Sequence, residues 1–176
     1  MSKTKLRIHT WPEGILRKKC QKVGNVDEKV RCSLDEMLSL MRASGGTGLA
    51  GNQAGLDLSL IVIEVEKHIF KLVNPEIVKR EGSVSFSEGC LSFPGLEFEI
   101  KRDKKVWVSA LDEQGNSVEI EAQGFLSVIF QHEIDHIRGK TFLERVSFWK
   151  RAKAYSKLRE IIRRTKDEVR KQRRKY

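Results

Sequence analysis

The apolar positions of this chain change period twice. Between residues 25 and 46, Val26, Val30, Leu34, Met37, Leu38 and Met41 recur at three- and four-residue spacing. That spacing lines one face of an α-helix. Asn25 or Asp27 is placed to cap it, and Gly45–Gly46 to stop it. From about 47 to 122 the period shortens. LIVIEV (60–65), IFKLVN (69–74), EFEIKR (97–102), KVWVSALD (105–112) and SVEIEA (117–122) are β-branched and partly alternating, which predicts strands. DEQGN (112–116) reads as the hairpin turn between the last two, and REGSVSFSEGC as a loop or an edge strand. GFLSVIFQHEIDHIRGK (124–140) returns to helical period, with Phe125, Val128, Ile129, His132 and His136 along one face and Gly139 as C-cap. A final helix over 148–175 carries Tyr155, Leu158, Ile162, Thr165 and Val169 as an apolar stripe among many bases. WPEGILRKK predicts a short helix near the start. Neither repeats nor a linker interrupt the pattern, so one α+β domain spanning 1–176 is expected.

Composition narrows the class. A chain of 176 residues can bury one sizeable core. Its longest apolar run, LSLIVIEV (58–65), has strand length, far below the ~20 residues that cross a bilayer; no membrane partner is expected. The opening MSKTKLRIHTWPEG has no apolar core of a secretory signal. The three cysteines, Cys20, Cys32 and Cys90, form no C-x-x-C pair, which favours a reducing compartment. The net charge of +10 is not spread evenly. Residues 150–176 hold thirteen Lys/Arg against three acids, and the rest of the chain is balanced. A neutral body therefore bears a basic tail.

The candidate chemistry centres on QHEIDH (131–136). On a helix His132 and His136 project from one face, one turn apart, and can share a cation. Glu133 lies beside them, placed to reach a water without ligating. Core histidines are the alternative for both. A third ligand is needed, and no histidine follows His136. Cys90, in EGCLSFPG (88–95), is the better candidate; it precedes a strand-like Leu-Ser-Phe, and a thiolate binds divalent transition metals strongly. Two imidazoles and a thiolate leave a fourth position for water, the catalytic pattern. GGTGLAGNQAG (45–55) lets backbone approach a ligand closely, and Gln53 offers a neutral donor to a developing oxyanion. Read alone, this stretch is equally a flexible surface loop.

Taken together and in order, GTGLAGNQ, EGCLS and QHEIDH resemble the motifs of peptide deformylase. The resemblance implies antiparallel or mixed β-sheets around a central metal-binding helix, with an N-terminal helix and a long C-terminal one. It implies a hydrolase that removes the formyl group from N-terminal formylmethionine of nascent polypeptides in the bacterial cytoplasm, acting as a monomer. Cys90, His132 and His136 would hold one divalent metal ion, natively Fe²⁺, with Zn²⁺, Ni²⁺ or Co²⁺ able to replace it. Glu133 would be the general acid/base, Gln53 and the Leu91 N–H would face the oxyanion, and Gly48 would bond the peptide backbone. Phe125, Val128 and Ile129 are candidates for the methionine pocket. Glu88 and Arg102 match positions that pair beside the substrate, and Asp135 is assigned a structural role. Gly51 stands where a second alanine is usual and is expected to loosen its loop slightly. The segment from Gln53 to Glu88 is short, and Glu97 stands where some bacterial members carry an arginine near the peptide.

The tail extends this expectation. Arg163, Arg164, Arg170, Lys171, Arg173 and Arg174 are candidates for docking on the ribosome near its exit tunnel, as the resemblance to the bacterial form implies and the charge supports. The motifs end at His136, so this helix is expected to be dispensable for chemistry unless folding needs its stripe. Two rivals remain at this point: a zinc endopeptidase, which shares H-E-x-x-H, and a non-catalytic RNA-binding protein read from the tail.

Overall fold

A computed structural model describes residues 6–173, with side chains as far as Arg163. Helix α1 (Glu28–Ala43) is capped by Asp27, whose carboxylate accepts from the Val30 N–H at 3.0 Å. Five strands form one antiparallel sheet in the order β1 (Gly48–Ala50), β2 (Leu60–Val65), β3 (His68–Glu81), β6 (Lys105–Leu111), β7 (Ser117–Gln123). Strands β4 (Val84–Gly89) and β5 (Glu97–Arg102) form a separate antiparallel pair. REGSVSFSEGC thus contains a true strand. Helix α2 (Phe125–Ile137) crosses the interior, and α3 (Phe148–Arg173) closes the chain.

The unbroken apolar run of β2 has a simple cause. Alternate side chains leave opposite faces of a strand, and both faces are covered. Leu60 and Val62 pack with Leu34, Met37 and Met41 of α1. Ile61 and Ile63 pack with Ile129, Phe130 and Ile134 of α2. Every α2 residue from Ser127 to Ile137 is buried, because the helix lies between the sheet core and the floor of a deep cleft. The short pattern at 69–74 understates β3, which continues through Asn74 and Pro75 to Glu81. The ladder shifts register there, and a bulge is where a strand tolerates proline. Asn74 sits in the left-handed region and its amide bonds both polar groups of the Val23 backbone.

Most of the glycine-rich stretch is not a surface loop. It forms β1 and a 3₁₀ turn, Gly51–Ala54, and residues 49–54 are buried. Gly51 accepts from the Leu56 N–H at 2.8 Å, and a Cβ on it would overlap the Leu58 carbonyl oxygen. The expectation that Gly51 loosens the loop is therefore reversed: the missing side chain lets the chain turn tightly back. Gly51→Ala should destabilise the fold by roughly 1–3 kcal/mol, the range of overpacking a filled site. A urea midpoint equal to the parent's would refute this.

The last helix is also less separable than the sequence implied. Ala154 and Leu158 are buried in a third cluster with Phe93, Leu96, Ile100, Phe142 and Leu143, and Tyr155 stacks on Trp11 with ring centroids 5.5 Å apart. Thr165 and Val169 of the expected stripe lie outside the described side chains. A chain ended after Trp149 should lose about 2–5 kcal/mol from Leu158 alone, while one ended after Arg163 keeps this packing. Equal thermal midpoints for the two truncations would show that the helix is not part of the core.

Candidate active site

The three stretches singled out by sequence meet on one cleft of about 770 Å³. Its floor is α2, its walls are the ends of β1 and β4, and the turn after β4 closes one side. The turn corrects one expectation: Leu91–Phe93 is not strand but a reversal, in which Phe93 N–H donates to the Cys90 carbonyl at 2.9 Å.

Cys90, His132 and His136 converge. Cys90 Sγ lies 3.3 Å from His136 Nε2, and the two histidine Nε2 atoms are 3.2 Å apart. All three donor atoms fall within 4.8 Å of one another. Three lone-pair donors of these types, focused on one point, fit a divalent transition metal. The surroundings agree on one side. His132 Nδ1 meets Glu88 Oε2 at 2.7 Å, which leaves Nε2 to face the cluster. Burial disfavours charge on both rings. In His132 the Cys90 sulfur and Glu88 outweigh it and raise the pKa; in His136 burial and the neighbouring His132 lower it. His136 Nδ1 is buried with no protein partner among the described residues.

Glu133 is buried beside this cluster and is not part of it. Its Oε2 has no protein partner among the described residues. A Cβ on Gly48 would come within 2.5 Å of its other oxygen, so glycine there leaves room for the carboxylate. Burial pushes its pKa up to about 7, with Glu88 and Asp135 adding to the rise and His132 and Arg102 opposing it. A carboxyl titrating near neutrality can both take and return a proton.

Gln53 is oriented rather than free. Its Oε1 accepts from the Ala50 N–H at 2.9 Å, so its amide nitrogen faces Cys90 Sγ (3.4 Å) and Ser92 Oγ (3.2 Å). Asn52 ties the same 3₁₀ turn to α2 by donating to the His136 carbonyl. Leu91, Val128 and Ile129 line the cleft; Phe125 lies at its open rim against Phe86, ring centroids 5.8 Å apart. Gly48 and Glu88 line it too.

Arg102 does not reach the cleft wall. Its side chain is fully buried behind Glu88. Nε and one terminal nitrogen bond the two Glu88 oxygens at 2.6 and 2.8 Å, and the other bonds Asp135 at 2.5 Å. Arg145 then grips Asp135 with two further bonds of 2.8 and 3.0 Å. Burial alone would raise the carboxyl pKa values and lower that of the guanidinium. The ion pairs outweigh it, holding Glu88 and Asp135 low and Arg102 high. Asp135 is thus a structural anchor, as expected. Ser92, Asn52 and Arg145 were not read from the sequence, because their roles depend on contacts between distant segments. Of the tail residues, Arg163 is exposed on α3; the side chains of Arg164, Arg170, Lys171 and Arg173, and all of Arg174, lie outside the described residues.

Comparison with known proteins gives one answer. The family model for polypeptide deformylase matches residues 5–152. A peptide deformylase of Aquifex aeolicus is 40% identical over 161 residues, covering 88% of this chain and 95% of that protein. Peptide deformylase 2 of Clostridium acetobutylicum is 46% identical over 142 residues, 80% of this chain and 95% of that one. The crystal structure of a peptide deformylase from Legionella pneumophila superposes with a TM-score of 0.86 at 40% identity, covering 90% of this chain and 96% of that one. One from Synechococcus elongatus, in complex with actinonin, superposes with a TM-score of 0.83 at 34% identity, covering 89% of each.

Proposed function

Because this chain belongs to the polypeptide deformylase family and is an enzyme, we propose that it hydrolyses the N-formyl group of formylmethionine at the start of nascent polypeptides. One observation carries the reading: Cys90, His132 and His136 converge beside a buried Glu133 under the amide of Gln53. Sharing only H-E-x-x-H, a zinc endopeptidase has no need of that thiol and amide.

Cys90, His132 and His136 would hold one divalent ion, Fe²⁺ in the native enzyme and Zn²⁺, Ni²⁺ or Co²⁺ as substitutes. When bound, such an ion lowers the pKa of water toward neutrality and polarises a carbonyl. The protein's own groups do the rest. Glu133 takes a proton from the attacking water and gives it to the amine that leaves as the formyl C–N bond breaks. The products are formate and a free methionine N-terminus. Gln53 Nε2 and the Leu91 N–H donate to the formyl oxygen as negative charge develops on it. Val128 and Ile129 take the methionine side chain, with Phe125 at the rim. The peptide backbone lies along the edge of β1 and bonds Gly48 as an added strand. Arg102 acts through Glu88, which holds His132.

The test is to incubate anaerobically purified, metal-analysed enzyme with formyl-Met-Ala-Ser and with an unblocked peptide. Formate release from the first, and no cleavage inside either, is expected. Actinonin, held by the Synechococcus relative, should inhibit. Internal cleavage without formate would overturn the reading. Cys90→Ser should cost more metal affinity than the ~10–100-fold typical of losing an outer partner. Cys20→Ser, in the core, and Cys32→Ser, on α1, should leave metal content unchanged. Equal losses in all three would remove Cys90 from the ligand set.

The basic end of α3 is proposed as a ribosome contact that brings the enzyme to emerging N-termini in the bacterial cytoplasm. Attraction to phosphates should weaken steeply with salt. Cutting after Arg163, which preserves the packed half of the helix, should lower ribosome co-sedimentation; unchanged co-sedimentation would locate the contact elsewhere. No described helix is long and apolar enough to cross a membrane.

A further inference from the structure

Two hollows in this molecule share a wall. Leu96, Glu97 and Lys157 line both the catalytic cleft and a second groove of about 320 Å³. The groove runs on from the cleft between the start of β5 and the first turns of α3. Its floor is apolar, made by buried Leu96 and Ala154 and half-buried Phe98. Its rim is cationic. Lys150, Lys153 and Lys157 are exposed, and their i, i+3, i+7 spacing sets three ammonium groups on one helix face. Glu97 is the one carboxylate among the groove's lining residues and stands at its junction with the cleft. Lys157 is held in place by donating to the Gly95 carbonyl at 2.9 Å.

We propose that this groove continues the substrate site and selects acidic side chains downstream of the formylmethionine. The proposal rests on the deformylase reading for the identity of the peptide. A peptide leaving the cleft along the shared wall passes Glu97 and Lys157 first and Lys150 and Lys153 beyond them. In extended form it sends alternate side chains to opposite sides, so one set meets the apolar floor and the other the cationic rim. At the junction Glu97 offsets Lys157, which confines the preference for acids to positions beyond. The lysines are solvent-exposed, so each pair contributes modestly, roughly twofold to fivefold, and salt reduces it.

The test compares formyl-Met-Ala-Ser extended by Glu-Leu-Glu, Gln-Leu-Gln or Lys-Leu-Lys. With intact, metal-loaded enzyme at low salt, kcat/KM should fall in that order, with about a tenfold span from first to last that shrinks at high salt. In parallel, fluorescence anisotropy follows binding of the same three peptides without the formyl group. They should bind in the same order, and this readout is independent of turnover. Charge reversal with Lys150→Glu and Lys153→Glu together should invert the order in both measurements, which damage to folding would not do. Equal values for the three tails overturn the groove proposal. Failure to release formate from any peptide, with the binding order intact, overturns the deformylase reading instead and leaves the acidic-peptide groove standing.

Discussion

Glu133→Gln should lower kcat on a formyl-Met tripeptide by ~10²–10⁴-fold, the usual worth of a positioned general acid/base, while metal content stays that of the parent. The geometry separates these two effects. Glu133 is outside the converging set of Cys90, His132 and His136, so no ligand is lost. Glutamine has the same shape, so it should fit the space left open by Gly48, which has no room for a further atom on that side. The carboxyl is buried, and burying a charge costs stability. The amide should therefore leave the thermal midpoint unchanged or slightly higher. What disappears is the ability to hold a proton, which a carboxyl with a pKa raised to about 7 by burial has near neutrality. Near-normal kcat with a full complement of metal would show that another group carries the proton.

Most of the site was legible because its chemistry is local. His132, Glu133 and His136 need only helical spacing, and the helix forms because apolar residues recur around it. Cys90 and Gln53 could be nominated by residue type within short motifs. Less could be read where a residue's role is set by a distant partner. The resemblance pairs Arg102 with Glu88 beside the substrate, but nothing local says that the guanidinium is wholly buried behind Glu88 and also bonds Asp135. Gly51 looked like a loosened loop because nothing in the sequence says that the Leu58 carbonyl occupies the space beside it. The final helix shows an apolar stripe in the sequence, but not what covers it. Its first turns present Ala154 and Leu158 to a core whose other buried members run from Phe93 to Leu143. In each case local pattern gave the element and long-range packing gave its use.

Arg102→Met should destabilise the protein by about 3–5 kcal/mol, the cost of leaving a buried charge without its partner. The guanidinium is wholly buried and supplies three bonds, two to Glu88 and one to Asp135. Without it Asp135 still has both bonds from Arg145, but among the described side chains Glu88 keeps only His132. Glu88 is then the orphan, and it is the group that fixes the orientation of His132. Metal affinity should therefore fall with stability, by the ~10–100-fold typical of a lost outer partner. The pH dependence has a definite sign. The paired carboxylates have lowered pKa values, so in the parent their contribution is present above the ordinary carboxylate range and is lost as pH falls through the lowered values. The variant should lack it at neutral pH already, and the two stabilities should approach each other in acid. Arg102→Lys should rescue little, since a point charge cannot make the two-pronged contact with Glu88. Adding Glu88→Gln to Arg102→Met should recover part of the stability by removing the stranded charge, without restoring metal affinity. Urea midpoints and metal content across these variants decide the matter: a methionine variant within 1 kcal/mol of the parent, with metal affinity intact, would mean that Glu88 holds His132 without help from Arg102.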